Sequence, residues 1–147
     1  PLRGDWTVQL NEAVLAAPAP VVLVAHSLGC ILTAWWARHA PPAVVGKVQA
    51  ALLVAPGDVE QADLRQHLPG WAPIARQRLP FAAVVVGSQN DPYCRLARAQ
   101  QLAADWGAQW VDAGAAGHIN SASQLGDWPQ GHALLQDLVK DSVHGKR

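Results

Sequence analysis

Val21-Val22-Leu23-Val24-Ala25-His26-Ser27-Leu28-Gly29-Cys30-Ile31-Leu32-Thr33 is the stretch on which the fold turns. Val21–Ala25 is apolar throughout rather than alternating, the pattern of a strand covered by helices on both faces. From Leu28 onward Ile31, Leu32, Trp35 and Trp36 recur at helical spacing. The stretch therefore reads as strand, sharp turn, helix. A serine at such a turn stands at the carboxyl end of a parallel strand with its Oγ exposed, and the N–H of the next residue, Leu28, points out of the helix N-terminus. A tight turn needs small flanking residues, and they are Ala25 and Gly29, with Ala25 in place of the first glycine of G-x-S-x-G. So short a match fits a catalytic elbow or a structural turn, and the other segments must separate the two.

On either side the same alternation of elements continues. Asp5 is placed to cap a first helix on which Trp6, Leu10, Ala13, Val14 and Ala17 share a face, ending before Pro18 and Pro20. Pro41-Pro42 stops the helix of the elbow. Further buried strands are expected at Val48–Ala55 and Phe81–Gly87, and a short one at Ala108–Asp112. Helices are expected around Gln61–His67, from Leu96 to Trp106 with Gly107 just past its end, and over Gly131–Lys140, with Asp141–Arg147 frayed. The span from Val59 to Pro80 is the least regular, either a connecting excursion or a flap over a pocket. Strands separated by helix-length segments imply β-α-β units, a parallel sheet and right-handed crossovers.

Composition narrows the classes of function. With 147 residues, half of them apolar and 15% charged, the chain suits one globular domain with a real core. Eleven basic residues balance eleven acidic ones, and no basic stripe suggests nucleic acid. No apolar run approaches the roughly 20 residues that cross a bilayer. Cys30 and Cys94 lack metal spacing and read as two buried thiols, which fits a reducing compartment and a cytoplasmic location. No histidine pair has ligand spacing with a carboxylate, and no G-x-G-x-x-G follows a strand, so neither a metal nor a cofactor is expected. With no methionine and no secretory signal before the first helix, the chain is expected to begin inside a longer gene product.

Ser27, Asp58, Asp91 and His118 each fall just after an expected strand, and in parallel sheets functional residues gather at the strand carboxyl ends. Acyl transfer by serine needs a base to take the hydroxyl proton and an acid to orient that base. His118, on the loop after the last strand, is the best base, and Asp91 the best acid, in the chain order Ser, Asp, His. Asp58 is the runner-up acid, and Asp112 and Asp127 are better read as loop caps. His26 is expected to pack beneath the elbow, and His67, His132 and His144 to lie at the surface. Trp71, Tyr93 and Trp128 are the aromatic residues available for a substrate pocket, each equally readable as core.

Ala25-His26-Ser27-Leu28-Gly29-Cys30, Leu53-Val54-Ala55-Pro56, Ser88-Gln89-Asn90-Asp91-Pro92-Tyr93-Cys94, Gly117-His118-Ile119-Asn120 and Leu125-Gly126-Asp127-Trp128-Pro129 together resemble the small, nearly lidless serine hydrolases of the retinoblastoma-binding-protein and YdeN type. The resemblance covers nearly the whole chain. It implies a three-layer α/β-hydrolase-like sandwich with a mainly parallel sheet, formed by residues 1–147 as a single domain. It also implies Ser27 as nucleophile, Asp91 as acid and His118 as base, with Asn120 and Trp128 as loop-stabilising or pocket residues. Gln124 stands where the family's loop usually has glycine. Family members begin with a strand and a glycine-rich loop upstream of Pro1, and that loop resembles the source of a second oxyanion-hole donor beside the Leu28 N–H. The sheet is accordingly expected to lack its N-terminal strand, leaving Val21–Ala25 at an edge. The implied activity is cleavage of a small-molecule ester, thioester or amide through an acyl-enzyme. The competing function is a non-catalytic binding protein on the same scaffold. The retinoblastoma-pocket signature L-x-C-x-E is not met, since Leu28-Gly29-Cys30-Ile31-Leu32 ends in leucine. Oligomeric state is left open.

Overall fold

A computed structural model describes residues 1–143. Four strands, β1 (Val21–His26), β2 (Val48–Val54), β3 (Ala82–Gly87) and β4 (Gln109–Asp112), form one sheet in the order β1-β2-β3-β4, with every neighbouring pair parallel. Parallel neighbours need crossovers, and the helices supply them. The helices are α1 (Arg3–Ala16), α2 (Leu28–His39), α3 (Pro42–Val45), α4 (Ala62–His67), α5 (Leu96–Trp106) and α6 (Pro129–Val143).

Two cores lie on opposite faces of the sheet. On one face Ala51, Leu53, Ala83 and Val85 pack with Val14 of α1, Ile31 and Trp36 of α2, and Leu102 and Trp106 of α5. On the other, Ala50, Leu52, Val54, Val84 and Val86 meet Leu138 of α6, with Leu134, Leu135 and Trp128 at the margin. The period of two in a strand sends successive residues of β2 to opposite cores, so the unbroken apolar run Ala50–Val54 is what fits. The buried indoles are satisfied: Trp36 Nε1 donates to Asn11 Oδ1 at 3.0 Å and Trp106 Nε1 to the Ala75 carbonyl at 2.7 Å.

Several expectations need correction. β1 is not covered on both faces. It is the sheet's edge strand, α6 lies over β2 and β3, and Val24, in register with Leu52, is 61% exposed. Asp5 does not cap α1, which starts two residues earlier with Leu2 at the N-cap, so Asp5 sits in the first turn. After Pro41 the chain forms the short α3, because Pro42 at the first helical position gives up only an N–H that has no helical partner there. α6 begins at Pro129 and runs to Val143, beyond Lys140. The fraying expected at Asp141–Arg147 is therefore not seen through Val143, while residues 144–147, His144 among them, lie outside the described residues. Gly107 ends α5 with a left-handed φ of 68°, as its place after the helix predicts.

Candidate active site

The turn between β1 and α2 holds Ser27 at φ 58° and ψ −117°, a region that L-residues avoid and that costs on the order of 1–3 kcal/mol unless neighbours enforce it. β2 enforces it. The Ser27 N–H donates to the Val54 carbonyl at 3.0 Å, and the Ser27 carbonyl accepts from the Cys30 N–H at 3.0 Å. The room is small: a Cβ on Gly29 would stand 3.4 Å from that of Ala25, and one on Gly57 would stand 3.4 Å from Ser27 Oγ. Leu28 is the first residue of α2, and its N–H has no partner among the described residues.

His118 closes on this hydroxyl from the loop after β4. Its Nε2 lies 2.9 Å from Ser27 Oγ, and its Nδ1 lies 3.0 and 2.9 Å from Asp91 Oδ1 and Oδ2. Asp91 comes from the loop after β3, and its side chain is only 1% exposed. A carboxylate only accepts hydrogen bonds, so Nδ1 carries the proton and Nε2 is left to accept from the serine. Asp91 Oδ1 also accepts from the Tyr93 N–H at 2.9 Å, which fixes the carboxylate to its own loop. The Tyr93 ring stands edge-on to His118, with centroids 4.6 Å apart. Chemically, the arrangement can move a proton from the hydroxyl to the imidazole while a buried charge steadies the imidazolium.

Asp58 does not reach His118. Its backbone N–H donates to the Tyr93 carbonyl at 2.9 Å, its Oδ1 accepts from the Glu60 N–H at 3.1 Å, and its Oδ2 lies 3.4 Å from Arg98 Nε without hydrogen-bond geometry. Glu60 bonds Arg98 and Arg76, and Arg76 reaches Asp105 at 3.0 Å. Burial would raise the Glu60 carboxyl, but the Ile74 N–H and the two guanidinium groups hold it below its ordinary value. Asp112 caps its loop by accepting from the Gly114 N–H at 2.8 Å, and Asp127 is exposed. Cys30 and Cys94 are free and buried. Burial pushes the Cys94 thiol up to about 12, with the Asp58 and Asp91 charges adding to the effect, and the Cys30 thiol is pushed up as well, chiefly by burial.

Of the four pocket candidates the structure brings two to Ser27. Tyr93 and Asn120 line a cleft of about 270 Å³ with Ser27, Leu28 and His118. Asn120 also organises its own loop, its Oδ1 accepting from the Ala122 N–H at 3.1 Å. Trp71 is not a pocket residue. It is fully buried, edge-on to Trp6 with centroids 5.4 Å apart, and its Nε1 donates to the Pro1 carbonyl at 3.0 Å. Trp128 lines cavities with Leu125 that Ser27 does not touch, and its ring lies over Gly131. Gln124 adopts φ 55°, a conformation that glycine takes without strain.

Three residues contribute in roles that the sequence did not suggest. His26 does not pack beneath the elbow. In register with Val54 it faces the α6 side of the sheet, is exposed beyond the reach of α6, and donates from Nε2 to the His118 carbonyl at 2.8 Å. Asn90 Oδ1 accepts from the Gly117 N–H at 2.7 Å, and Ser88 Oγ accepts from the Ala116 N–H at 3.0 Å, so the loop carrying Asp91 holds the loop carrying His118. The available signal was short polar residues directly after a strand.

A parallel sheet between helical layers, with serine, aspartate and histidine meeting beyond its strand ends, defines the α/β-hydrolase class. The comparisons go further: the Serine hydrolase family model matches residues 1–137, and the chain belongs to that family. Among solved structures it is similar to a YdeN-like hydrolase from Pectobacterium atrosepticum, at 24% identity and a TM-score of 0.80 over 95% of this chain and 70% of that one. It is also similar to the ydeN gene product of B. subtilis, at 18% identity and a TM-score of 0.76 over 95% and 76% of the two chains. The Bacillus cereus carboxylesterase is more distant, at 17% identity and a TM-score of 0.52 over 86% and 61%. Curated protein sequences give no match. The protein is an enzyme, a hydrolase of the Serine hydrolase family. Among the described residues no helix is long and apolar enough to cross a membrane, and no three histidine, cysteine or acidic side chains are grouped to hold a metal ion.

Proposed function

We propose that residues 1–147 act as a single α/β-hydrolase-like domain that cleaves a small ester, thioester or amide through a Ser27-His118-Asp91 triad. The observation that carries this is the unbroken run of hydrogen bonds from Ser27 Oγ through both His118 nitrogens to a buried Asp91 carboxylate. His118 Nε2 takes the Ser27 proton as Oγ attacks the substrate carbonyl, and Asp91 stabilises the resulting imidazolium. The Leu28 N–H, at the positive end of the α2 dipole, donates to the tetrahedral oxyanion. Collapse of that intermediate passes the proton from His118 to the leaving group. Water then repeats the sequence in reverse on the acyl-enzyme, releasing the acid and restoring Ser27. Two buried free thiols fit a reducing compartment, and a cytoplasmic location goes with this reading.

A fluorophosphonate probe tests the assignment. Stoichiometric labelling that is lost in Ser27→Ala and strongly slowed in His118→Ala is expected, and labelling that survives Ser27→Ala would overturn it.

A further inference from the structure

Two clefts meet at His118, and they differ in character. One contains Ser27 and Gly57 and is walled by Leu28 and by Leu64 and Leu68 of the α4 region. The other lies on the far side of Tyr93 and His118, does not include Ser27, and is lined by Asn90, Ser123 and the backbone of the 115–117 loop. Apart from His118, neither cleft presents an ionisable group at neutral pH.

Covalent chemistry assigns the two sides. When Ser27 Oγ bonds to the carbonyl carbon and the carbon–heteroatom bond breaks, the acyl part stays attached to Ser27, while the leaving group departs with the proton of His118 Nε2. The acyl part stays bonded to Ser27, and of the two clefts the leucine-walled one is the one that Ser27 lines and whose walls suit an apolar chain. At about 30 Å³ per non-hydrogen atom, its 270 Å³ holds roughly nine atoms, and although Tyr93 and Asn120 bring neutral polar groups to its walls, no lysine or arginine lines it to offset a second carboxylate.

We infer that the acyl group this enzyme accepts is a neutral aliphatic chain of about four to eight carbons, seated between Leu28, Leu64 and Leu68. The inference rests on the serine hydrolase reading above and adds the substrate class. Leu64 is the wall to alter, because α4 is a short surface helix without a fully buried residue.

The test is kcat/KM of the full-length protein for p-nitrophenyl acetate, butyrate, hexanoate, octanoate, dodecanoate and hemisuccinate. Complete transfer of a methylene from water gives about fourfold, so in a cleft half open to solvent kcat/KM should rise about two- to fourfold per methylene up to the hexanoate or octanoate. It should then fall at the dodecanoate, and the hemisuccinate should be at least tenfold slower than the butyrate. Leu64→Ala should move the optimum to longer chains and Leu64→Trp to shorter ones. Ratios between esters measured on one variant cancel any loss of folded fraction. A flat profile, an optimum at the dodecanoate, preference for the hemisuccinate, or ratios indifferent to both Leu64 variants would overturn the inference. So would a protein that labels with the fluorophosphonate yet turns over none of the neutral esters. Failure to label at Ser27 would instead overturn the hydrolase mechanism on which the inference rests.

Discussion

His26→Ala is the substitution whose effect the geometry bounds from both sides. The ring touches the site through one hydrogen bond, from Nε2–H to the His118 carbonyl at 2.8 Å, and through a tilted contact with the His118 ring at 4.7 Å between centroids, while both His118 nitrogens are held by Ser27 and Asp91. A neutral hydrogen bond contributes about 1 kcal/mol net, and if all of it is felt in the transition state kcat falls about fivefold. Exposure sets the ceiling, because water can take over the carbonyl once the ring is gone. KM should barely change, since His26 does not line the Ser27 cleft. His26→Gln, whose amide can reach the same carbonyl, should recover most of the loss. Steady-state kinetics on p-nitrophenyl butyrate with thermal melts of the three proteins reads all of this. Unchanged kcat with a lowered Tm would make His26 a purely structural contact. A loss above about a hundredfold exceeds what one such bond supplies, so it too would refute the positioning role.

Asp91→Asn should retain fold and labile contacts but lower kcat about 10⁴-fold, because the amide can favour the tautomer with the proton on Nε2, where Ser27 needs an acceptor; circular dichroism beside the kinetics checks it. Glu60→Gln tests the ion cluster by pH. The Glu60 carboxyl is held below its ordinary value in the folded chain, so its stabilisation is full above the unfolded value and disappears as pH falls through the folded one. Urea midpoints should therefore separate wild type from variant at neutral pH and converge in acid, and a gap that widens below pH 4 would contradict the sign.

Much of the site was legible because strand ends are legible. Val54 and Gly87 each close an apolar run and Asp112 ends the short β4, and the polar residues after them had to share one edge of a parallel sheet whatever the details of the crossovers. What failed were judgements about tertiary cover. Val21–Ala25 has the composition of a doubly covered strand, but whether a helix lies over its second face depends on where α6 docks, and α6 sits over β2 and β3. Trp71 in a Pro- and Gly-rich excursion reads equally as wall or core, and only the folded position of Trp6 makes it core. Strand alternation put His26 on the face away from its neighbours correctly. It could not show that the His118 backbone would return to that same face, since that contact spans 92 positions of sequence.

The loops that carry the proposed chemistry are not independent of one another. Asp58 is tied to Tyr93, Asp91 to Tyr93 and His118, and Asn90 and Ser88 to the 116–117 backbone, whereas α4 joins this set only at its start, where the Gln61 N–H donates to the Asp58 carbonyl at 3.0 Å. Leu64 thus stands on a short helix, Ala62–His67, that buries none of its own residues. A lineage of such enzymes can diversify what it binds by editing the exposed face of α4, while its reacting groups stay where the sheet put them.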